Sequence, residues 1–343
     1  MMNLNGHLLY LDITQICGVD CSFCMYAEKH RNGINFQMSD TASQNLRALI
    51  NDRSVKRVSI SGEGEPLNNA AVFHQILQLS EGNQAFEFIS SGFWPHDMLA
   101  DFIEVTDRLV HGNRDTCNIR LSCDSYHVEK VRHKPHGFSL DFWLRTKPES
   151  LSLSFRSVDT DREFARAYLL EQVAQYGWQG HVTPHGELDD ILWVGERSFR
   201  IDYKNHVHPS AATPPGYLDL KGYISALEAK VGKPFTLGSL NPHPSSNGID
   251  LTMKPDGRVY LYGAENDLLG NIHHDEFTWD GLCQRIADTP LLRQLYTTPL
   301  QELLSRFDGD LTASRIISEA NNPYWVVKEL SQEPNLVERM IAS

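Results

Sequence analysis

The chain has 343 residues, 41% hydrophobic content and a formal charge of −13, the profile of a globular protein with room for one large domain or two modest ones. That charge argues against a general polyanion binder and disfavours a nucleic-acid partner. No apolar run approaches a membrane span, and the N-terminus lacks a basic segment followed by an apolar one, so a cytoplasmic protein without membrane contact is expected.

The predicted elements alternate from the start. Leu8–Ile13 reads as a buried strand. Ser39–Asn51 reads as a helix, with Ser39 as its N-cap and Leu46, Leu49 and Ile50 on one face. Val55–Ile60 is a strand and Ala71–Leu79 a helix. Phe86–Ile89 is a strand and Pro95–Leu109 a helix with Pro95 in its first turn. Asn118–Ser122 is a strand, Phe138–Leu144 a helix and Leu151–Phe155 a strand. Asp161–Tyr176 is a helix stopped by Gly177, and His181–Pro184 is a sixth strand. This alternation predicts an α/β fold with a mostly parallel sheet, whose site gathers at the carboxyl ends of the strands.

The pattern changes after Leu188. Asp190–Tyr203 reads as a hairpin turning near Gly195–Ser198, and Tyr217–Val231 as a helix. Ile249–Tyr262 reads as a hairpin around the Pro255-Asp256-Gly257 turn, and helices follow from Thr278. The expectation is a first domain over residues 1–205 and a smaller α+β extension over residues 206–343.

Cys17, Cys21 and Cys24 crowd together with the spacing C-x3-C-x2-C, while Cys117, Cys123 and Cys283 are scattered. Disulfide frameworks do not look like this, and clustered thiolates suit a soft metal or an iron–sulfur cluster. Three thiolates leave one iron of a [4Fe–4S] cluster open. A structural zinc site is the alternative, with His30 as a fourth ligand. After the second strand comes Ser61-Gly62-Glu63-Gly64-Glu65-Pro66-Leu67, whose glycines allow a ligand close to the backbone. A phosphate loop is disfavoured there, because Glu63 and Glu65 would repel phosphate and no lysine follows. Ser90, Ser91 and Gly92 end the third strand, and Ser122 and Asp124 end the fourth; site chemistry and plain turn chemistry both fit them.

The cysteine spacing, with Phe23 directly before Cys24 and Thr14 upstream, resembles the signature of the radical S-adenosylmethionine (radical SAM) superfamily. Gly18 departs from the asparagine many members carry. The Gly62–Pro66 stretch is similar to that superfamily's GGEP motif. The resemblance implies a partial (β/α)6 barrel and a [4Fe–4S] cluster on Cys17, Cys21 and Cys24. It implies S-adenosylmethionine on the fourth iron, with Phe23, Gly62, Gly64, Glu65, Ser91, Ser122 and Asp124 near that cofactor. It further implies cleavage to a 5′-deoxyadenosyl radical that abstracts a substrate hydrogen, and an electron donor such as flavodoxin or ferredoxin. No catalytic residue is singled out.

Lys254–Tyr260 and Leu269–Ile272, with the helix at Trp279, resemble the SPASM or twitch extension of some of these enzymes. Tyr262 stands where a cysteine is common there, and Cys283 alone cannot hold a cluster, so the resemblance implies an extension without auxiliary clusters. A small-molecule substrate is expected, with a peptide close behind. Radical methyl or sulfur transfer and a non-catalytic metal-binding protein are the alternatives, and Cys123 is the cysteine placed to test the first. His127, His133, His136, His185 and Glu187 are further rim candidates, and His206 with His208 forms an H-x-H pair.

Overall fold

The structure, a computed structural model, describes residues 6–19, 21, 33–207, 217–238, 248–320 and 322–342. Phe23, Cys24, His30 and His208 lie outside the described residues. In chain order the elements are β1 (His7–Leu11), α1 (Asp40–Ile50), β2 (Val55–Ile60), α2 (Ala70–Leu77), β3 (Ala85–Ser90), α3 (His96–Asn113), β4 (Thr116–Ser122), α4 (Ser125–Lys130) and α5 (Pro135–Thr146). Then come β5 (Leu151–Val158), α6 (Arg162–Gln175), β6 (Gly180–Pro184), β7 (Asp189–Val194), β8 (Arg197–Lys204) and α7 (Leu220–Val231). Strands β9 (Asp250–Met253), β10 (Arg258–Leu261) and β11 (Leu268–Asn271) precede α8 (Trp279–Asp288) and five further short helices that end at Ile341. The fold is mixed α/β.

The chain divides into two compact units. One comprises Leu11–Met38 and Val58–Lys204, the other Met1–Tyr10, Ser39–Arg57 and Asn205–Ser343. In the first, β2, β3, β4, β5 and β8 are neighbours in that order and all parallel. Their apolar side chains, among them Val58, Ile60, Phe88, Ile119, Leu121, Phe155 and Ile201, are buried, as expected of strands covered by crossover helices. Strands β7 and β6 extend the sheet in antiparallel fashion. Here the structure corrects the chain-order reading. His181–Pro184 is a strand, but it is the antiparallel edge, and β8 takes the parallel place beside β5. The chain reverses twice, around residues 185–188 and 195–196, so β6 and β8 both run in the direction of β5, but β7 lies between them and it is β8 that pairs with β5.

The second unit carries the β9–β10 hairpin around Pro255-Asp256-Gly257, with Gly257 in the left-handed region at φ +82°. A third strand, β11, pairs with β10 through a register shift. Helix α1 is capped by Ser39, whose hydroxyl accepts from the Ala42 N–H. Asn45 on α1 donates to the Ile272 and Asp275 carbonyls and accepts from the Phe277 N–H. Tyr262 is half-buried, edge-on to Tyr10 and Tyr324, with ring centroids 5.2 and 5.0 Å away. A cluster of half-buried tyrosines therefore lies near the position at which the resemblance anticipates a cysteine. Among the described residues no helix is long and apolar enough to cross a membrane.

Candidate functional site

The loop after β1 is clamped onto the loop after β2 by main-chain contacts. The Ser61 N–H donates to the Leu11 carbonyl, and the Glu65 N–H to the Ile16 carbonyl at 2.9 Å. Asn68 donates to Ile16 as well, and Asn69 bridges the Ile13 and Phe36 carbonyls. Thr14 braces the turn from within: its hydroxyl accepts from the Ile16 N–H and donates to Asn35. These bonds fix the backbone that leads into Cys17.

The two glycines are required by that approach. A Cβ on Gly64 would lie 2.3 Å from the Thr14 carbonyl oxygen and 2.8 Å from that of Ile16. Gly62 has φ +144°, and a Cβ there would fall within 2.2 Å of the Asp12 carboxylate. Asp12 is buried and accepts from the Glu63 N–H at 3.0 Å. Only glycine allows the backbone so near a neighbouring segment of the same chain.

Glu65 is buried and its carboxylate is fully engaged. Oε1 accepts from the Ser90 hydroxyl at 2.6 Å and the Leu67 N–H at 3.2 Å. Oε2 accepts from the Ser91 N–H at 2.7 Å and the Ser91 hydroxyl at 2.6 Å. Glu65 and Ser91 therefore tie the end of β3 to the loop after β2, and both side chains act on the shape of the rim.

On the other side of the cysteines lies α4, a helix that sequence periodicity does not reveal. Asp124 caps it, with Oδ1 accepting from the His127 N–H at 3.0 Å. Asp124 is buried, and both its oxygens lie 2.8 Å from His127 Nδ1. The Cys21 sulfur adjoins the His127 ring. Burial disfavours the charged ring, but the Asp124 hydrogen bond and the adjoining Cys21 sulfur outweigh it and lift His127 to about 10.

Cys21 is buried with Val19 and Val131, and Cys17 and Phe93 pack against the same cluster. Residues after β1, β3 and α4 thus meet around the two described cysteines. The donor set suits a soft metal centre: two thiols share one apolar nest, close to a glycine-shaped backbone. Among the described residues no three His, Cys, Asp or Glu side chains form a metal-binding group; Cys24, expected as the third ligand, lies outside them.

His136, expected among the rim candidates, is buried and structural. Its Nε2 donates to the Ser122 carbonyl, so Nδ1 accepts from the Tyr168 hydroxyl, each at 2.9 Å. Burial pushes it down to about 4, so the ring is neutral and holds the end of β4 in place. Cys123 is buried, its N–H donates to the Arg156 carbonyl, and burial, with Asp124, Asp202 and Asp161, pushes its thiol well above the usual range. It is an inert thiol. His185 and Glu187 are exposed in the turn between β6 and β7, and His133 is half-buried. His206 stacks near Tyr217. Below the rim, Arg120 on β4 pairs with Glu87 on β3 at 3.0 Å, and Ser59 completes that carboxylate.

Asp12, Gln15 and Asn69 were not singled out by their sequence pattern. Their roles come from partners distant in the chain, such as Glu63 for Gln15 at 3.3 Å. Residues 7–121, from β1 into β4, match the family model of the 4Fe-4S single cluster domain. No curated protein matches the chain. Solved structures similar to it include two of one protein. Native anSMEcpe with bound AdoMet and Cp18Cys peptide has 13% identity over 84% of this chain and 82% of its own, at a TM-score of 0.47. Hexahistidine-tagged anSMEcpe with bound AdoMet has 12% identity over 85% and 82%, at a TM-score of 0.48.

Proposed function

We propose that the chain is a radical SAM enzyme with a single [4Fe–4S] cluster on Cys17, Cys21 and Cys24. The observation that carries this reading is the clamp between the cysteine loop and the Gly62–Glu65 loop, with Gly64 pressed against Thr14 and Ile16. A cluster bound there with S-adenosylmethionine would supply one-electron reductive cleavage of that cofactor and, through it, radical abstraction of a substrate hydrogen. The protein's own part is to hold and to exclude water. Gly62 and Gly64 let their loop lie against Asp12, Thr14 and Ile16, and the main chain of that loop would hold the methionine end of the cofactor. Glu65, through Ser90 and Ser91, keeps that loop in register with the end of β3. His136 does the same for Ser122, next to Asp124.

The hairpin around residue 256 belongs, in this reading, to a SPASM-like extension without auxiliary clusters, since Cys283 is the one cysteine after Cys123. The substrate is a small molecule or a peptide, the reaction belongs to a biosynthetic or natural-product pathway, and flavodoxin or ferredoxin provides the electron. A cytoplasmic setting follows from crowded reduced thiols. Cys123, buried with a raised thiol pKa, does not support methyl transfer through a catalytic cysteine.

His127 favours a second reading. Three cysteines with His127, held by Asp124 as a carboxylate–histidine pair, would make a structural zinc site. Anaerobic purification followed by metal and acid-labile sulfide analysis separates the two. Iron and sulfide in equal amounts, at four of each per chain, are expected; zinc without sulfide would establish the second reading instead.

A further inference from the structure

We propose that His127 donates an N–H···S hydrogen bond to the Cys21 sulfur of the cluster, and that this bond raises the cluster's reduction potential, with Asp124 as the positioning residue. The inference rests on the cluster reading above and deepens it.

The geometry begins at the first turn of α4. One carboxylate, Asp124, holds both the backbone N–H and the ring of the same residue, His127, at 3.0 and 2.8 Å. Backbone and side chain are fixed by one partner, so the ring has little rotamer freedom left. Asp124 is buried, with a side chain only 4% exposed, and cannot turn to solvent. The ring's other partner is Cys21, buried beside Val19 and Val131.

Donor chemistry then assigns the protons. A carboxylate only accepts, and a cluster-bound thiolate only accepts. A ring set between the two donates to both: Nδ1 to Asp124, which leaves Nε2 for the sulfur. One-electron reduction adds negative charge to the cluster and its sulfurs. A donor aimed at a ligand sulfur stabilises the reduced form more than the oxidised one, which raises the potential. The electron comes from the reductant, and no bond is made or broken and no proton leaves the ring.

The test uses the reconstituted full-length protein and dithionite with redox mediators. The midpoint potential is followed by electron paramagnetic resonance, with iron and sulfide measured on each sample. His127→Phe is expected to keep its iron and sulfide while its potential falls. At a fixed potential its ratio of reduced to oxidised cluster drops about tenfold, about 59 mV for a one-electron couple. His127→Gln, which retains a side-chain N–H, recovers part of the shift. Asp124→Asn falls between Phe and wild type, and together with the Gln variant it decides the matter should the Phe variant fail to fold. Unchanged potentials at full iron content would overturn the proposal. So would loss of one iron in His127→Phe with a three-iron signal, since His127 would then be a ligand. Wild-type protein that takes up no iron and sulfide would refute the cluster reading itself, which is a different result.

Discussion

Two buried carboxylates flank the cysteine loop, and they are held by different chemistry. Glu65 meets uncharged donors from the main chain and from Ser90 and Ser91. Asp124 meets an imidazole that in turn reaches Cys21. The first side is a backbone clamp, whose shape depends on steric fit and hydrogen-bond count. The second is an electrostatic arm, whose effect depends on charge at the sulfur. Damage to the clamp should therefore unmake the site, while damage to the arm should retune it.

The largest break should come at Gly64. Gly64→Ala forces a methyl group against two carbonyl oxygens, at a cost of about 3 kcal/mol. Urea unfolding should show the loss, and reconstitution should yield little cluster. A stable, cluster-loaded variant would mean the clamp is dispensable.

His136 gives a comparable effect with a pH signature. Its folded pKa of about 4 lies below its ordinary value of 6.5, so the unfolded chain takes up a proton that the folded one refuses. Stability present above pH 6.5 is lost as pH falls towards 4, by about 3 kcal/mol. Replacement by Phe should lower stability at neutral pH and flatten this part of the profile. Parallel profiles for the two proteins would contradict the neutral, buried assignment.

Glu65→Gln tests the clamp more gently. The amide nitrogen cannot accept from Ser91, and about 2 kcal/mol should be lost. Asp124→Asn should cost less in unfolding experiments, because asparagine still caps α4. If the order is reversed, the contrast between the two sides fails. The smallest effect is expected from Cys123→Ala, which should leave 5′-deoxyadenosine formation close to wild type. Loss of that activity would restore a catalytic cysteine to consideration.

How much of this was readable in advance follows the same division. The clamp was legible because its key residues are glycines and cysteines at short, fixed spacings, and Val55–Ile60 was bounded correctly by its run of alternating and β-branched residues. The arm was not. His127 was one histidine among several, and its meaning comes from a six-residue helix capped by Asp124, too short to show a periodic face. His136 looked like its equal in the sequence, yet a Tyr168 hydroxyl and the Ser122 carbonyl bury it in a structural task. The place of β8 beside β5 was hidden for a related reason: hairpin signals identify β7 and β8 as partners but do not say which of them returns to the parallel sheet. Strand β11 is only four residues long and includes a glycine, which blurs its pattern.

The central claim is that Cys17, Cys21 and Cys24 hold a cluster that cleaves S-adenosylmethionine. The most direct measurement is 5′-deoxyadenosine formed by anaerobically reconstituted protein with S-adenosylmethionine and dithionite. The account predicts formation by the wild type and none after Cys17→Ala, Cys21→Ala or Cys24→Ala. Undiminished 5′-deoxyadenosine from the triple variant would contradict it.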